Sequence, residues 1–426
     1  MKRTILAASV LGCAGVASAQ SSVTLFGALD AGVSYYSSKS AFYNNTSNPV
    51  ATLPTVTRSQ TVLSNSATTP SRLGFRGTED LGGGLSAGFW LEAGINNDTG
   101  TGAGPGGIFM FNRRSTVSLS GNFGEVRLGR DFTPTYWNDL IFSPFGTLGV
   151  GTNLLSTVGS NLQVVKGPGS SVSPTDNYMR TSNSIGYILP PNLGGIYGQL
   201  QYALHENVDQ SDVPGSPSTK GRFAGGRLGY AAGPLDVALA YGESVAADGI
   251  VTNAAGAPTG VRLEEKIKTL SLGASYNFNV VKLFGELTQL RDESNSTVLA
   301  SGVSIREKDT YKGALVGVAI PVGAGQIKAS YAWMKFDNEP GAGTSPAANQ
   351  DGTTQKVAIG YEYNLSKRTA LYATAAYIRV KDGQSNPAIM GATVAGSATY
   401  VSTGNGVSGY APSSSTGYDF GMRHSF

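Results

Sequence analysis

The sequence predicts an all-β protein, a transmembrane antiparallel β-barrel of about 16 strands. Three observations lead to this fold class. Apolar and polar residues alternate with a period of two along most of the chain. The connections between the predicted strands alternate between short and long. The N-terminus has the pattern of an export signal.

The first residues form a secretory signal. Lys2 and Arg3 precede an apolar run, and the small residues Ala17-Ser18-Ala19 follow it. This order of basic, apolar and small residues predicts cleavage between Ala19 and Gln20. The apolar run is shorter than the ~20 residues that cross a membrane, which argues against an anchor. We therefore predict a cleaved signal peptide over residues 1–19 and one barrel domain over 20–426.

Cysteine and charge narrow the class of protein further. The only cysteine, Cys13, lies inside the predicted signal; lipidation there is an alternative, but it would leave a very short apolar region. The mature chain then has no disulfide bond. The net charge of +3 falls to about +1 when Lys2 and Arg3 are removed, which argues against a nucleic-acid-binding protein.

Alternation predicts the strands. Large residues such as Leu270, Leu272 and Tyr276 alternate with Ser271 and Ser275. In a soluble sandwich this pattern faces a core, whereas in an outer-membrane barrel the apolar face meets lipid and the polar face meets water. Alternation alone leaves both open. The same pattern recurs at 235–242, 327–333 and 357–363.

The lengths of the connections separate the two alternatives, because short turns on one side and long loops on the other are typical of outer-membrane barrels. Short connections rich in Gly, Pro and Asn are predicted at 80–84, 121–124, 190–195, 231–234, 321–325 and 364–368. Long loops are predicted at 37–70, 97–107, 132–177, 205–219, 244–263, 292–308, 338–354 and 381–415. A barrel of this size leaves an aqueous channel.

The last residues predict a closing strand. Tyr418, Phe420, Met422 and Phe426 share one face of an alternating segment. We expect this strand to pair with the first strand, with Phe426 as the barrel-closing residue. We also expect the C-terminal strand to be the partner of the barrel-assembly machinery.

Several segments resemble the general porin family of Gram-negative bacteria, in its β-proteobacterial branch. The most specific are SRLGFRGTEDLGGG at 71–84 and GMRHSF at 421–426; segments 20–33, 124–130 and 364–369 are also similar. The resemblance covers the whole mature chain. It implies a homotrimer of sixteen-stranded barrels in outer-membrane lipid and lipopolysaccharide, each with a long third loop folded into the lumen as a constriction.

Charge in a narrow, poorly screened passage would select the ions that pass. Alternation places Arg72, Arg76, Arg127 and Arg180 on the lumen face. For the next candidate, alternation selects Arg114 as the inward residue, whereas the resemblance selects Arg113. A bulge in the strand would reconcile these two assignments.

The resemblance instead favours Arg113, and it places Arg72, Arg113 and Arg180 in a wall cluster of arginines that faces the third loop. We keep both Arg113 and Arg114 as candidates. Any one of these arginines could equally be an ordinary water-facing side chain, and the functional interpretation rests on the cluster.

The third loop, residues 132–177, resembles the family's constriction segment at Asp139, Pro144, Phe145 and Gly146. Cation-preferring porins of enteric bacteria have a glutamate after the proline, and here Phe145 follows Pro144 directly. Asp139 is the nearest carboxylate; it either faces the arginines or caps a short helix. Arginines without a facing row of acids predict a preference for anions.

Four other carboxylates, Asp30, Glu92, Asp236 and Glu362, point inward by alternation, and we expect them to balance the lumen charge. The two histidines, His205 and His424, form no catalytic set and no metal site with their neighbours in the sequence, so we expect no enzyme activity, no cofactor and no metal.

The resulting interpretation is a general diffusion porin for small anionic or neutral solutes. The alternatives are a channel specific for an anion or sugar, with Tyr136 and Trp137 stacking on the solute, and a structural or adhesive barrel with a plugged lumen. A soluble secreted sandwich is a further alternative.

Overall fold

The computed structural model describes residues 22–42, 54–165, 177–208, 218–252, 257–339, 351–382, 393–394, 400 and 410–426. The predicted signal peptide and its cleavage site at Ala19 and Gln20 lie outside these residues, so both stay predictions.

Antiparallel strands make up most of the described chain. The first nine are β1 Ser22–Phe42, β2 Val56–Asn65, β3 Arg72–Gly82, β4 Leu85–Asn96, β5 Thr101–Gly102, β6 Arg114–Gly121, β7 Gly124–Phe132, β8 Arg180–Ile188 and β9 Ile196–Ala203. The others are β10 Phe223–Ala232, β11 Leu235–Thr252, β12 Pro258–Asn277, β13 Lys282–Val298, β14 Ser304–Val322, β15 Gly325–Glu339, β16 Gly352–Asn364, β17 Thr369–Lys381 and β18 Tyr410–Ser425.

Two helices, α1 Pro134–Ile141 and α2 Leu154–Val165, lie between β7 and β8, and a short 3₁₀ turn spans Pro105–Gly107. No helix in the described ranges is long and apolar enough to cross a membrane.

These strands form a closed wall of 16 positions, as predicted. Strands β2 and β3 both run antiparallel to β1, β2 along Ala31–Ser40 and β3 along Ser22–Ala28, so together they fill one position. The two-residue strand β5 pairs with β4 only. Every other neighbouring pair follows chain order, from β3 round to β18.

The barrel closes between its first and last strands. β18 pairs with β1 over Ala28–Phe42, with one register shift between Lys39 and Ser40. The seam continues to Phe426, whose backbone N–H donates to the Gly27 carbonyl at 3.1 Å and whose carbonyl accepts from the Gly27 N–H at 3.1 Å. The expected pairing of the last strand with the first is therefore present, and the C-terminal residue takes part in it.

The two faces of the wall have opposite polarity. Leu270 and Leu272 on the outer face are 42% and 43% exposed, whereas Ser271 between them is fully buried on the inner face. This is apolar-out and polar-in, the reverse of a soluble sandwich, and it suits a wall between lipid and water. The soluble alternative is therefore wrong.

The turns agree with the prediction better than the loops do. Short turns join β3 to β4, β6 to β7, β10 to β11, β14 to β15 and β16 to β17, at the predicted places. An additional turn between β12 and β13 was not predicted; Asn279 adopts a left-handed φ of 69° there.

Two of the predicted long loops, 244–263 and 292–308, are wrong, because β11 to β14 continue through most of them. These strands extend beyond their apolar rows and pair polar side chains instead, as in the 2.5 Å contact between Lys268 Nζ and Glu293 Oε2. Backbone pairing does not require an apolar face, so alternation of hydrophobicity ends before the strands do.

Candidate pore constriction

The connection between β7 and β8, called loop three below, is docked on the inner face of the wall. Thr133 caps α1 by accepting a hydrogen bond from the Tyr136 N–H at 3.3 Å, and Pro134 occupies the first turn. On the facing side, Asn138 Nδ2 donates to the Ala238 carbonyl of β11 at 3.2 Å and to Ser271 Oγ of β12 at 3.0 Å. These partners belong to the buried polar face, so α1 lies inside the barrel.

The predicted constriction segment packs into notches that glycines leave in this wall. Gly273 of β12 faces Phe142, and a Cβ built there would lie 1.9 Å from the phenylalanine ring. Gly317 of β14 makes room for Pro144 in the same way, with 2.6 Å to its ring. Because these strands carry no side chain at the contact, the loop backbone can lie close to the wall.

Phe145 and Gly146 complete this segment. A Cβ on Gly360 of β16 would lie 3.0 Å from the Phe145 ring, so Phe145 fills a third notch. Gly146 has a left-handed φ of 61°, which a residue with a side chain rarely adopts. Its carbonyl accepts a hydrogen bond from the Asn153 N–H at 2.9 Å, which closes the turn that carries the chain back along the wall.

The return path of loop three is held by charged wall residues. Lys356 of β16 donates to the Thr152 carbonyl at 2.6 Å, and Asn153 Nδ2 donates to Glu286 Oε2 of β13 at 2.7 Å. Helix α2 then packs against β14 and β15. Loop three thus lines the wall from β10 to β18, and the predicted arginines lie on the other part of the wall, β3 to β8.

Glu92 of β4 is the centre of one group of arginines. Its Oε1 lies 2.6 Å from Arg113 Nε and 3.7 Å from Arg72 Nε, and its Oε2 accepts from Trp90 Nε1 at 3.2 Å. Arg72 and Arg113 keep 28% and 17% of their side-chain surface exposed, so their charge reaches the water-filled lumen.

Asp131 of β7 is the centre of a second group. Its Oδ2 lies 2.6 Å from Arg127 Nη1 and 3.7 Å from Arg114 Nε. Arg127 also pairs with Glu125 of the same strand at 3.0 Å. Arg114 and Arg127 each keep 18% of their side-chain surface exposed.

Both Arg113 and Arg114 therefore face the lumen. Arg114 is the first residue of β6 and stands opposite Glu92 in the ladder, so alternation applies to it. Arg113 precedes the strand, and its N–H donates to the Glu92 carbonyl at 3.1 Å. Alternation applies only within a strand, so no bulge is needed for both side chains to face the lumen.

Arg76 lies on the inner face as well, but it has a different environment. Its guanidinium carbon lies 5.2 Å from the Trp90 ring centre and 5.4 Å from the Phe26 ring centre. Arg114 also stacks on Trp90, at 4.5 Å. Within the described residues, no carboxylate lies within ion-pair distance of Arg76.

Arg180 begins β8, at the point where loop three rejoins the wall. Its guanidinium carbon lies 4.3 Å above the Phe132 ring. The strand is irregular nearby, because Asn183 has a left-handed φ of 55° and Thr181 is fully buried. Burial raises the pKa of Tyr136 on α1, while its hydrogen bond with Thr147 and the positive charges of Arg180 and Arg113 oppose this shift. Arg180 thus lies where β7 leads into loop three.

Asp139 takes neither of the two roles expected from the sequence. Thr133 caps the helix instead, and the Asp139 carboxylate is buried under loop three, where it accepts a hydrogen bond from the Tyr178 hydroxyl. It also contacts the carboxyl of Glu286. Burial raises the pKa of Asp139, and two adjoining carboxyls favour sharing a proton. Asp139 therefore joins loop three to the wall and does not face the arginines.

The aromatic residues proposed for solute stacking are engaged elsewhere. Tyr136 is 4% exposed, stacks on Phe132 at 5.4 Å and shares a 2.5 Å hydrogen bond with Thr147. Trp137 lies edge-on to Phe132 at 5.3 Å and is half-buried.

Sequence reasoning missed Glu125, Asp131 and Trp90. Glu125 stands two residues from Arg127, and Trp90 two residues from Glu92, so alternation could have placed each pair on one face. Asp131 was beyond that rule, because a register shift between Gly129 and Asp131 interrupts the alternation in β7. Among the described residues, no cluster of side chains could hold a metal ion.

Comparison with known proteins identifies the class. The family model for Gram-negative porins matches residues 4–383, and the chain belongs to this family. It is 36% identical to outer membrane porin protein 32 of Delftia acidovorans over the full length of both chains, and 30% identical to an outer membrane porin of Bordetella pertussis, covering 89% of this chain and 94% of that one.

One solved structure is also similar in both fold and sequence. It is described as an anion-selective porin from Comamonas acidovorans, with 34% identity and a TM-score of 0.65, covering 96% of this chain and all of the other. The chain is an outer-membrane β-barrel of the β-proteobacterial porin type.

The glycine notches give a first prediction. Gly273→Ala should displace Phe142 and destabilise the docking of loop three by about 1–3 kcal/mol, because the new Cβ would lie 1.9 Å from the buried ring and force it out of the notch. Gly285→Ala on β13 is the matched control, since its nearest neighbour would lie 3.9 Å away. Urea unfolding of the refolded barrel measures both; equal stability of the two variants would contradict the notch.

Asp139 gives a second prediction. Its raised pKa means that the folded state holds a proton more tightly than the unfolded state, so stability falls as the pH rises through the raised pKa and recovers on acidification. Asp139→Asn stays neutral, so it should be more stable than the native protein at neutral pH, by ~1.4 kcal/mol for each unit of pKa elevation. This advantage should disappear in acid.

The stability of Asp139→Asn and of the native protein is measured by gel electrophoresis, as the temperature at which the band of the folded barrel disappears, at a series of pH values. Asp98→Asn, in an exposed turn, is the control for loss of one negative charge. A pH profile that is the same for Asp139→Asn and the native protein would show that the carboxyl is not buried in the folded barrel.

Proposed function

We propose that this porin is a passive diffusion channel that prefers anions. The observation that carries the proposal is the exposed group of arginines on β3 to β8, which stands on the part of the wall that loop three leaves free. Solutes that pass between loop three and this wall travel along positive charge. No bond is made or broken, so the protein is not an enzyme.

The charges of this wall do not cancel. Four arginines, Arg72, Arg113, Arg114 and Arg127, share three carboxylates, and Arg76 adds a charge with no carboxylate of the described chain in ion-pair distance. A unit charge at ~7 Å in water is worth about 0.6 kcal/mol, or about threefold in the local concentration of an ion. Several such charges along one passage favour anions over cations.

The similar proteins support this proposal. One is a porin described as anion-selective, and it matches this chain over nearly its whole length. Small anionic and neutral hydrophilic solutes are the expected cargo. A channel specific for one sugar is less well supported, since Tyr136 is buried and its hydroxyl is engaged with Thr147.

The assembled state is part of the proposal. We propose a homotrimer in outer-membrane lipid and lipopolysaccharide, as the family resemblance implies. The assembly machinery would recognise β18, whose last residue, Phe426, completes the seam with Gly27. The constriction would comprise the wall arginines together with Pro144, Phe145 and Gly146, while Asp139 acts from behind loop three.

Removing one wall charge tests the selectivity. Arg113→Gln should lower the chloride-to-potassium permeability ratio about sevenfold, because the lost ~0.6 kcal/mol acts on chloride and potassium with opposite signs. Reversal potentials in a planar bilayer under a KCl gradient measure the ratio. Arg291→Gln, an exposed arginine on the outer face of β13, is the control for the same charge change outside the lumen.

Two outcomes would contradict this account. If Arg113→Gln and Arg291→Gln gave the same ratio as the native channel, the wall arginines would not lie at the constriction. If the native protein formed no channels, the diffusion function itself would be wrong, and the plugged or adhesive barrel would replace it.

Removing a wall acid should have the opposite effect. Glu92→Gln frees Arg72 and Arg113 from their shared partner, so the chloride-to-potassium permeability ratio should rise by about the same sevenfold factor. The opposite signs of the two variants separate electrostatic selection from a general change in pore shape. A fall in chloride preference for Glu92→Gln would contradict the electrostatic explanation.

A further inference from the structure

In the described part of the chain, the ladder of the wall is interrupted between β2 and β3. Between Asn65, where β2 ends, and Arg72, where β3 begins, the residues 66–71 stand opposite only Leu29 and Asp30 of β1. Six residues facing two cannot remain in the ladder, and the extra length must leave the plane of the wall. Its hydrogen bonds to the buried carboxylate of Asp30 place it on the lumen side.

Asp30 holds this segment by its carboxylate. Oδ2 accepts hydrogen bonds from the Thr68 N–H at 2.7 Å, the Thr68 hydroxyl at 2.8 Å and the Thr69 N–H at 2.7 Å. The backbone of Asp30 holds the two ends: its carbonyl accepts from the Ser66 N–H at 2.9 Å, and its N–H donates to Ser71 Oγ at 2.9 Å. Asp30 is fully buried.

A second strand reaches the same carboxylate from the other side. The Tyr372 hydroxyl of β17 donates to Asp30 Oδ1 at 2.5 Å. Its side chain crosses β18 over Gly421, where a Cβ would lie 2.3 Å from the hydroxyl oxygen, and reaches Gly32 of β1, where a Cβ would lie 2.9 Å from the same oxygen. Two wall glycines therefore make room for one long contact, and Asp30 joins β1, β17 and the inward segment.

The tip of loop three rests on this segment. A Cβ built on Gly149 would lie 2.3 Å from the Ala67 carbonyl oxygen and 2.7 Å from Asp419 Oδ2. The next residue, Val150, donates its N–H to Asp419 Oδ2 at 2.7 Å. Asp419 is held in turn by Ser34 Oγ at 2.6 Å. The tip is thus seated between Ala67 and Asp419, on the side of the barrel away from α1.

We propose that residues 66–71 form an inward shelf that seats the tip of loop three, and that Asp30 is the positioning residue that holds the shelf. Loop three is then fixed at both ends of its path, at α1 on β10 to β12 and at the shelf beside β1 and β18. Its distance from the arginine wall, and with it the width of the passage, is set by this second support. The inference rests on the proposed diffusion function.

Gly149→Ala is the first test. The new Cβ meets backbone and carboxylate oxygens that cannot move away, so the tip should leave the shelf. Gly323→Ala in the β14–β15 turn is the matched control, because its φ of 59° is close to the 61° of Gly149 and nothing lies within 4 Å of its Cβ. The comparison separates loss of the seat from backbone strain alone.

Asp30→Ala is the second test, with Asp236→Ala as its control. Asp236 also faces the lumen and also accepts a tyrosine hydroxyl, from Tyr197 at 2.6 Å, but it holds no inward segment. Loss of one lumen carboxylate is therefore common to both variants. If Asp30→Ala does not fold, Asp30→Asn replaces it. The amide has one accepting oxygen in place of two, so this variant keeps only part of the hydrogen bonds that the Asp30 carboxylate accepts.

The readout is the entry of neutral sugars of increasing size into liposomes, together with current noise in the open channel. Gly149→Ala and Asp30→Ala should raise the entry rate of a trisaccharide relative to a monosaccharide about twofold or more and increase the noise, while both controls behave as the native channel does. Folded variants with native size exclusion and noise would overturn the shelf. Equal changes in Asp30→Ala and Asp236→Ala would assign the effect to charge and overturn it as well. Absence of channels in the native protein would instead refute the diffusion function.

Discussion

The closed ladder of backbone hydrogen bonds is the constraint on which the rest of this structure depends. In lipid an unpaired N–H or C=O group has no water to replace its partner, so a sheet can cross the membrane only if its first and last strands join. Here the seam between β1 and β18 runs as far as Gly27 and Phe426. Once the ladder closes on 16 positions, the alternation of side chains fixes an apolar outside and a polar inside, and the lumen is too wide for wall side chains to fill.

Because the wall side chains cannot narrow the lumen, a loop must do so. That loop must stay docked on the wall although water competes for its hydrogen bonds. Wall glycines at positions 273, 317 and 360 let loop three approach closely, and hydrogen bonds from Asn138 of the loop to Ala238 and from Lys356 of the wall to Thr152 hold it there. The interior of this barrel is therefore specified by missing side chains as much as by charged ones. A substitution at a glycine of the wall therefore displaces loop three, and the displaced loop changes the width of the passage.

The sequence predicts the features that follow from the two-residue alternation of the strands, and it fails where that alternation is interrupted. The strand count, the turns and the inward direction of Arg72 and Arg127 all follow from alternation and turn residues. Arg113 lies just outside β6 and Asp131 beyond a register shift, so no periodic rule could place them. The partner of Asp139 belongs to β13, far along the chain, and only the packing of loop three brings Glu286 to it. Contacts between distant segments carry no local signal.

The pairing of arginines with acids has a consequence for transport. A passage lined by bare arginines would hold an anion tightly, and conduction requires that an ion leave as readily as it enters. Glu92 and Asp131 each bind two arginines, which reduces the depth of the electrostatic well while leaving an excess of positive charge. They also fix the guanidinium groups in place, so that an ion meets a preformed field. Selectivity and flux are opposing demands on the same side chains, and shared carboxylates satisfy both.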